Sequence, residues 1–227
     1  MGKTPFSFSE AFGIGWSQLK RHWVFIVAAF TTLFAIEAVF GYLIDVPYRD
    51  IEPTSSLLAI LALLIRMWLN FNLLVIMIRL FDDVEPKWSD LFIWREETLS
   101  YVSASILYCL LVFVGCLFFV IPGLYFALKY SFYGYLIADK KLGAVEALKV
   151  SARLTADMKW LLVGFGVVVV SILLLGLLAF GIGLLIAIPV VSLAVIFVYR
   201  SLYRQAFEVA VTEPSASTVV PTSSETA

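Results

Sequence analysis

From Leu99 to Asp139 the chain is apolar almost without interruption. Roughly 40 residues in one helix would run about 60 Å, twice the hydrocarbon thickness of a bilayer. Such a segment has to fold back on itself, and Pro122-Gly123 is its natural hinge. The rest of the chain has the same character: 62% of its 227 residues are hydrophobic and 15% are charged. Soluble domains have about 45–50% apolar and about 25% charged residues, so an ordinary water-soluble fold is excluded. The net charge of −1 gives no basis for nucleic-acid binding.

The pattern along the chain predicts an all-α polytopic membrane protein. Six transmembrane helices form three hairpins, with amphipathic helices on the cytosolic face. The spans fall at 23–44, 57–81, 99–121, 123–138, 158–180 and 184–203, making residues 23–205 the membrane domain. Residues 1–22 precede it as an interfacial amphipathic helix. In that helix Phe8, Phe12, Trp16 and Leu19 share one face, and Glu10, Ser17 and Arg21 the other. Ser7 and Glu10 stand at capping-box spacing. A second, weaker amphipathic helix opens near Ser89, and residues 140–157 return to the cytosolic surface. Gly181-Ile182-Gly183 turns the last hairpin, and Pro189 is expected to kink its second arm. Residues 212–227, rich in Ser, Thr and Pro, cannot bury a core and are expected to be disordered.

Basic residues set the orientation. With the N-terminus inside, 13 of the 16 Lys and Arg residues are cytosolic, Arg49 is outside, and Arg66 and Lys129 fall within spans. Both termini are therefore expected in the cytosol. Glu10, Asp90 and Glu146 each open an amphipathic segment followed by a pair of spans, which reads as three units of one repeat. The apolar run from Trp23 shows no small-residue cleavage site, so it is not expected to be a cleaved signal.

Few residues offer chemistry. His22 is the sole histidine, and no nucleophile elbow, zinc motif or carboxylate pair occurs in the spans, so neither catalysis nor a metal or other cofactor is expected. Cys109 and Cys116 lie seven residues apart on one helix, about 10 Å between Cα atoms and too far for a disulfide. The candidate ligand-binding residues are Glu37, Arg66, Asn70 and Lys129. A charge at the centre of a span costs roughly 2.5–3.5 kcal/mol, so these groups should meet in one layer. Two readings of that layer stand: a polar, net-positive site for an anionic ligand, or ion pairs and snorkelling side chains that fix helix packing. Lys140, Lys141, Lys149 and Arg153 form a basic stripe suited to anionic lipid headgroups, or to topology alone.

The segment IPGLYFALKYSFYGYLIAD, then EALKVSARLT and a tryptophan at the next span, resembles a known family, as do the FSFSEAF start and the GIGLLIAIPVVSLAVIFVYRSLY end. It is similar to the membrane domain attached to bacterial glycerophosphodiester phosphodiesterases, also found in stand-alone six-helix membrane proteins. Where that pattern has a glycine and a basic residue after Leu154-Thr155, this chain has Ala156-Asp157. The resemblance implies a multi-pass protein of the bacterial cytoplasmic (inner) membrane. It does not imply diesterase activity, whose barrel needs about 250 residues of its own. The expected function is support of lipid or envelope homeostasis through contacts with membrane lipids or other membrane proteins. The alternative is a transporter or lipid translocator using Glu37, Arg66 and Lys129; a lipid-modifying enzyme is a third reading.

Overall fold

The computed structural model describes residues 6–45, 52–156, 158–178 and 182–208. The loop at 46–51, the turn at 179–181 and the tail from 212 lie outside the described residues. Eight α-helices follow one another, with no strand among the described residues: α1 Phe8–Asp45, α2 Glu52–Phe81, α3 Glu97–Phe118, α4 Val120–Lys129, α5 Tyr133–Lys140, α6 Ala144–Leu154, α7 Lys159–Leu178 and α8 Ile182–Tyr203. Five stretches are long and apolar enough to cross a membrane: Phe8–Val39, Ala59–Phe81, Glu97–Phe118, Lys159–Leu178 and Gly183–Phe207. This is the pattern of a multi-pass membrane protein.

The segment expected to span at 123–138 is divided. Helix α3 stops at Phe119, whose extended backbone (φ −168°, ψ 156°) makes the turn, three residues before Pro122. Pro122 then sits in the first turn of α4, where its missing N–H leaves no helical bond unmade. A second break at Tyr130–Phe132 separates α4 from α5. Together the two short helices retrace α3: Gly115 abuts Gly123, the Tyr108 hydroxyl donates to the Ala127 carbonyl (3.3 Å), Ser105 meets Tyr133 (2.9 Å), and Lys141 pairs with Glu97 (2.8 Å).

The N-terminal segment and the first long apolar run form one helix with a kink at His22 (φ −123°, ψ 26°). Before the kink the buried stripe is Ala11, Gly15 and Leu19, while Trp16 is 45% exposed. The expected face of Phe8, Phe12, Trp16 and Leu19 is rotated because small residues, not aromatic ones, let α1 come close to α8. A Cβ on Gly15 would stand 2.8 Å from the Val190 carbonyl oxygen and 3.2 Å from the Ala194 nitrogen. Phe6, Phe8 and Phe12 flank this contact and gather round Phe165 of α7, with ring centroids 5.5–6.1 Å away. The Ser7 and Ser9 hydroxyls lie 3.0 Å apart at the start of α1. Helix α8 is the central post: Leu193, Ala194, Ile196, Val198 and Tyr199 are all fully buried, and the helix continues through Pro189.

The amphipathic helix expected near Ser89 is a four-residue 3₁₀ turn, Trp88–Leu91. Asp90 is buried there: its carboxylate accepts from the Lys87 backbone N–H (3.1 Å) and from Arg79 (3.4 Å). A buried acid held from two sides anchors a turn instead of lying on a solvated helix face. Helix α6 buries Ala147, Leu148, Ser151 and Leu154 and exposes Glu146, Lys149 and Arg153.

Gly15→Leu is expected to overpack the α1–α8 contact and cost about 1–3 kcal/mol, lowering the melting temperature in detergent. Gly13→Ala, where an added Cβ meets nothing within 4 Å, should leave it unchanged or raise it slightly.

Candidate functional site

The break between α4 and α5 frees main-chain groups that a continuous helix would have bonded internally. Phe132 is buried, so water does not reach its N–H. Helix α6 supplies the partners. The Ser151 hydroxyl accepts from the Phe132 N–H (3.1 Å) and donates to the Lys129 carbonyl (3.2 Å). The Thr155 hydroxyl donates to the same carbonyl at 3.0 Å. Ser151 and Thr155 are one turn apart, so the α6 face that packs against α5 carries both hydroxyls to one point.

Beside the break lies an open cavity of about 320 Å³ between α1, α2, α3, α5 and α8. Asn70, Tyr101, Ser131, Tyr135 and Ser192 give it polar groups, and Phe30 and Met77 are among its apolar walls. The rings of Phe71, Tyr101 and Tyr133 stack at 4.8 and 5.9 Å and join α2, α3 and α5 along one side.

The predicted ligand residues separate into two places. Asn70 Nδ2 reaches the Glu37 carboxylate at 3.5 Å, and Arg66 Nη2 reaches the Glu37 backbone carbonyl at 3.4 Å, so these three meet between α1 and α2. Asn70 also donates to the Arg66 carbonyl one turn away (2.9 Å) and borders the cavity. Lys129 stands elsewhere: its ammonium lies 5.6 and 5.5 Å from the rings of Tyr125 and Tyr130, beside Lys159, which lies 5.1 Å from the Tyr125 ring. The sequence places Lys129 in one layer with Glu37 and Arg66; the structure places it with Tyr125 and Lys159, at a groove between α4 and α7.

The basic stripe also divides. Lys140 pairs with Asp139 (3.3 Å) and covers the Tyr203 ring (4.6 Å), and Lys141 pairs with Glu97. Lys149 and Arg153 point outward from α6.

Sequence reasoning missed the charged knot that joins the ends of α2, α5 and α8. Arg200 pairs with Asp82 (2.7 Å) and Asp139 (3.1 Å), and the Tyr199 hydroxyl donates to Asp139 at 2.9 Å. Arg95 reaches inward, donating from Nε to the side-chain oxygen of the fully buried Asn72 (3.1 Å). Burial first, and then the nearby Arg79 guanidinium, lower the Arg95 pKa from its usual value. A cavity of about 210 Å³ lies here, lined by Arg79, Arg95 and Lys141 against Asp82, Glu97 and Asp139. Three cations face three anions, so this pocket is electrically balanced. The available signal was Asn72, an amide inside an apolar run that needs a partner, and Arg95, a cation without a helical face.

Comparison with protein-family models, with curated proteins and with solved structures finds no match. The segments LKYS and KVSARLT meet at the α4–α5 break.

Ser151→Ala strands a buried N–H and is expected to cost about 1–3 kcal/mol. Thr155→Val should cost less, since Ser151 still serves the Lys129 carbonyl. Thermal melts of both variants in one detergent check the order; Thr155→Val being the more damaging would refute it.

Proposed function

We propose that this chain is a non-catalytic protein of the bacterial inner membrane that supports lipid or envelope homeostasis through contacts with lipids or membrane proteins. In this reading both termini are cytosolic and there are six crossings in three hairpins, the fourth crossing made in two pieces by α4 and α5. The segment before the His22 kink and helix α6 lie towards the cytosolic face. The four contacts by which α4 and α5 retrace α3 support that fourth crossing.

One observation carries the functional reading: ion pairs join the helices to one another, and among the described residues no charged side chain lines the cavity beside the α4–α5 break. Arg200, Asp82 and Asp139 tie α8, α2 and α5, Lys141 and Glu97 tie α5 to α3, and Arg21 and Asp83 (2.7 Å) tie α1 to α2. None of Glu37, Arg66 and Lys129 borders that cavity among the described residues. Exposed pairs such as Arg21–Asp83 contribute little each, but the Asp139 knot is mostly shielded from water and fixes how three helices meet.

The transporter reading keeps one supporting feature, the place of Asn70 on both the Glu37–Arg66 cluster and the cavity wall. Native mass spectrometry of protein released gently from membranes separates the two. The contact reading predicts retained lipid or a stoichiometric protein partner in wild type, unchanged in Asn70→Leu and Arg66→Leu. A small metabolite held by wild type and lost from Asn70→Leu at equal membrane abundance would favour transport and overturn the contact reading.

A further inference from the structure

A third cavity, also about 320 Å³, opens between α4, the end of α6 and α7. Its walls are Leu124, Leu128, Leu162 and Val163, and its polar edge holds Lys129 and Lys159. The two ammonium groups lie 5.6 and 5.1 Å from the centre of one ring, Tyr125. Among the described residues no carboxylate lies within 4.0 Å of either. That sets this groove apart from the balanced cavity near Arg95 and from Lys140 and Lys141, whose charges are met by Asp139 and Glu97. Among the described residues, then, two cations share one ring at the edge of an apolar groove, an arrangement that suits an anion.

Beyond Val163, the last α7 residue lining the groove, an exposed apolar stripe runs on along the helix. Val163, Val167, Val170 and Leu174 follow at helical spacing, and the last three are 61%, 55% and 55% exposed. From Val163 to Leu174 this stripe rises about 17 Å, enough to lay an extended hydrocarbon chain against it. At the charged end Trp160 is 88% exposed at the start of α7, where an indole would sit at the headgroup level of a bilayer. Cations and aromatic rings at one end, with an uncovered apolar stripe leading away, match the two halves of a single ligand.

We propose that this groove is a binding site for an anionic phospholipid. Lys129 and Lys159 hold the headgroup phosphate, and an acyl chain lies between α4 and α7 and along the α7 stripe. The proposal rests on the lipid-contact reading above and gives it a site and a ligand class. It also gives the α4–α5 break a second consequence, because Ser151 and Thr155 fix the Lys129 backbone from which the headgroup-binding side chain extends.

The test is native mass spectrometry of the full chain in detergent, titrated separately with phosphatidylglycerol and with phosphatidylcholine of the same acyl composition. Wild type should bind phosphatidylglycerol more tightly, by on the order of tenfold for two basic contacts. Lys129→Gln/Lys159→Gln should lose that preference, Lys129→Arg/Lys159→Arg should keep it, and Lys149→Gln/Arg153→Gln, which removes as much charge from α6, should leave it unchanged. Equal preference in wild type and Lys129→Gln/Lys159→Gln, or its loss in Lys149→Gln/Arg153→Gln, would overturn the groove while lipid contact elsewhere still stands. Wild type that retains neither lipid would overturn the groove and the lipid-contact reading together.

Discussion

The arrangement depends on how a broken helix is completed. Between Lys129 and Phe132 the chain gives up regular helical bonding inside a packed, apolar bundle, where an unpaired N–H or C=O is costly. Two hydroxyls on α6 complete it. This constraint fixes α6 against α5 and α3, and with it the place where α7 begins. The side chain of Lys129 is thereby brought beside Lys159, and the hydroxyl of Tyr133 reaches Ser105 across the hairpin. A helix without the break would have run Lys129 past this point with no hydroxyl to meet.

Close approach elsewhere is the work of small residues. Gly115 against Gly123 closes the α3–α4 turn, and Gly176 against Gly183, at 2.8 Å from an added Cβ to the facing Cα, closes the α7–α8 turn. Gly15 does the same between α1 and α8, two helices distant in sequence. In a bilayer the lipid tails offer apolar surface as good as any neighbouring helix, so close backbone packing and interhelical hydrogen bonds must supply much of the specificity. The Phe71–Tyr101–Tyr133 stack and the Asp139 knot add contacts that hold in one register only.

Much of this was readable from the residues, for definite reasons. The long apolar runs and the composition identify a multi-pass membrane chain because bilayer thickness demands them. Leu99–Asp139 had to turn near Pro122, and it does so three residues earlier, at Phe119. Arg66 and Asn70, at helical spacing, do meet Glu37. Three things were not legible. The break at Tyr130–Phe132 has neither proline nor glycine, and becomes visible only once Ser151 and Thr155 are seen facing it. The turn at Trp88–Leu91 depends on Asp90 meeting Arg79 and the Lys87 amide, which periodicity does not report. The rotated face of the N-terminal helix follows from Gly15 needing to touch α8, whereas hydrophobicity alone ranks Trp16 above it.

The central claim is that α6 completes the broken helix, and hydrogen–deuterium exchange of peptides covering residues 126–136 tests it most directly. The account predicts that this segment is as protected as the flanking helices in wild type. In Ser151→Ala its exchange should accelerate locally, by about ten- to a hundredfold for the loss of one buried hydrogen bond, while α7 and α8 stay unchanged. A segment that already exchanges freely in wild type, or one whose rate does not respond to the loss of the Ser151 hydroxyl, would contradict it.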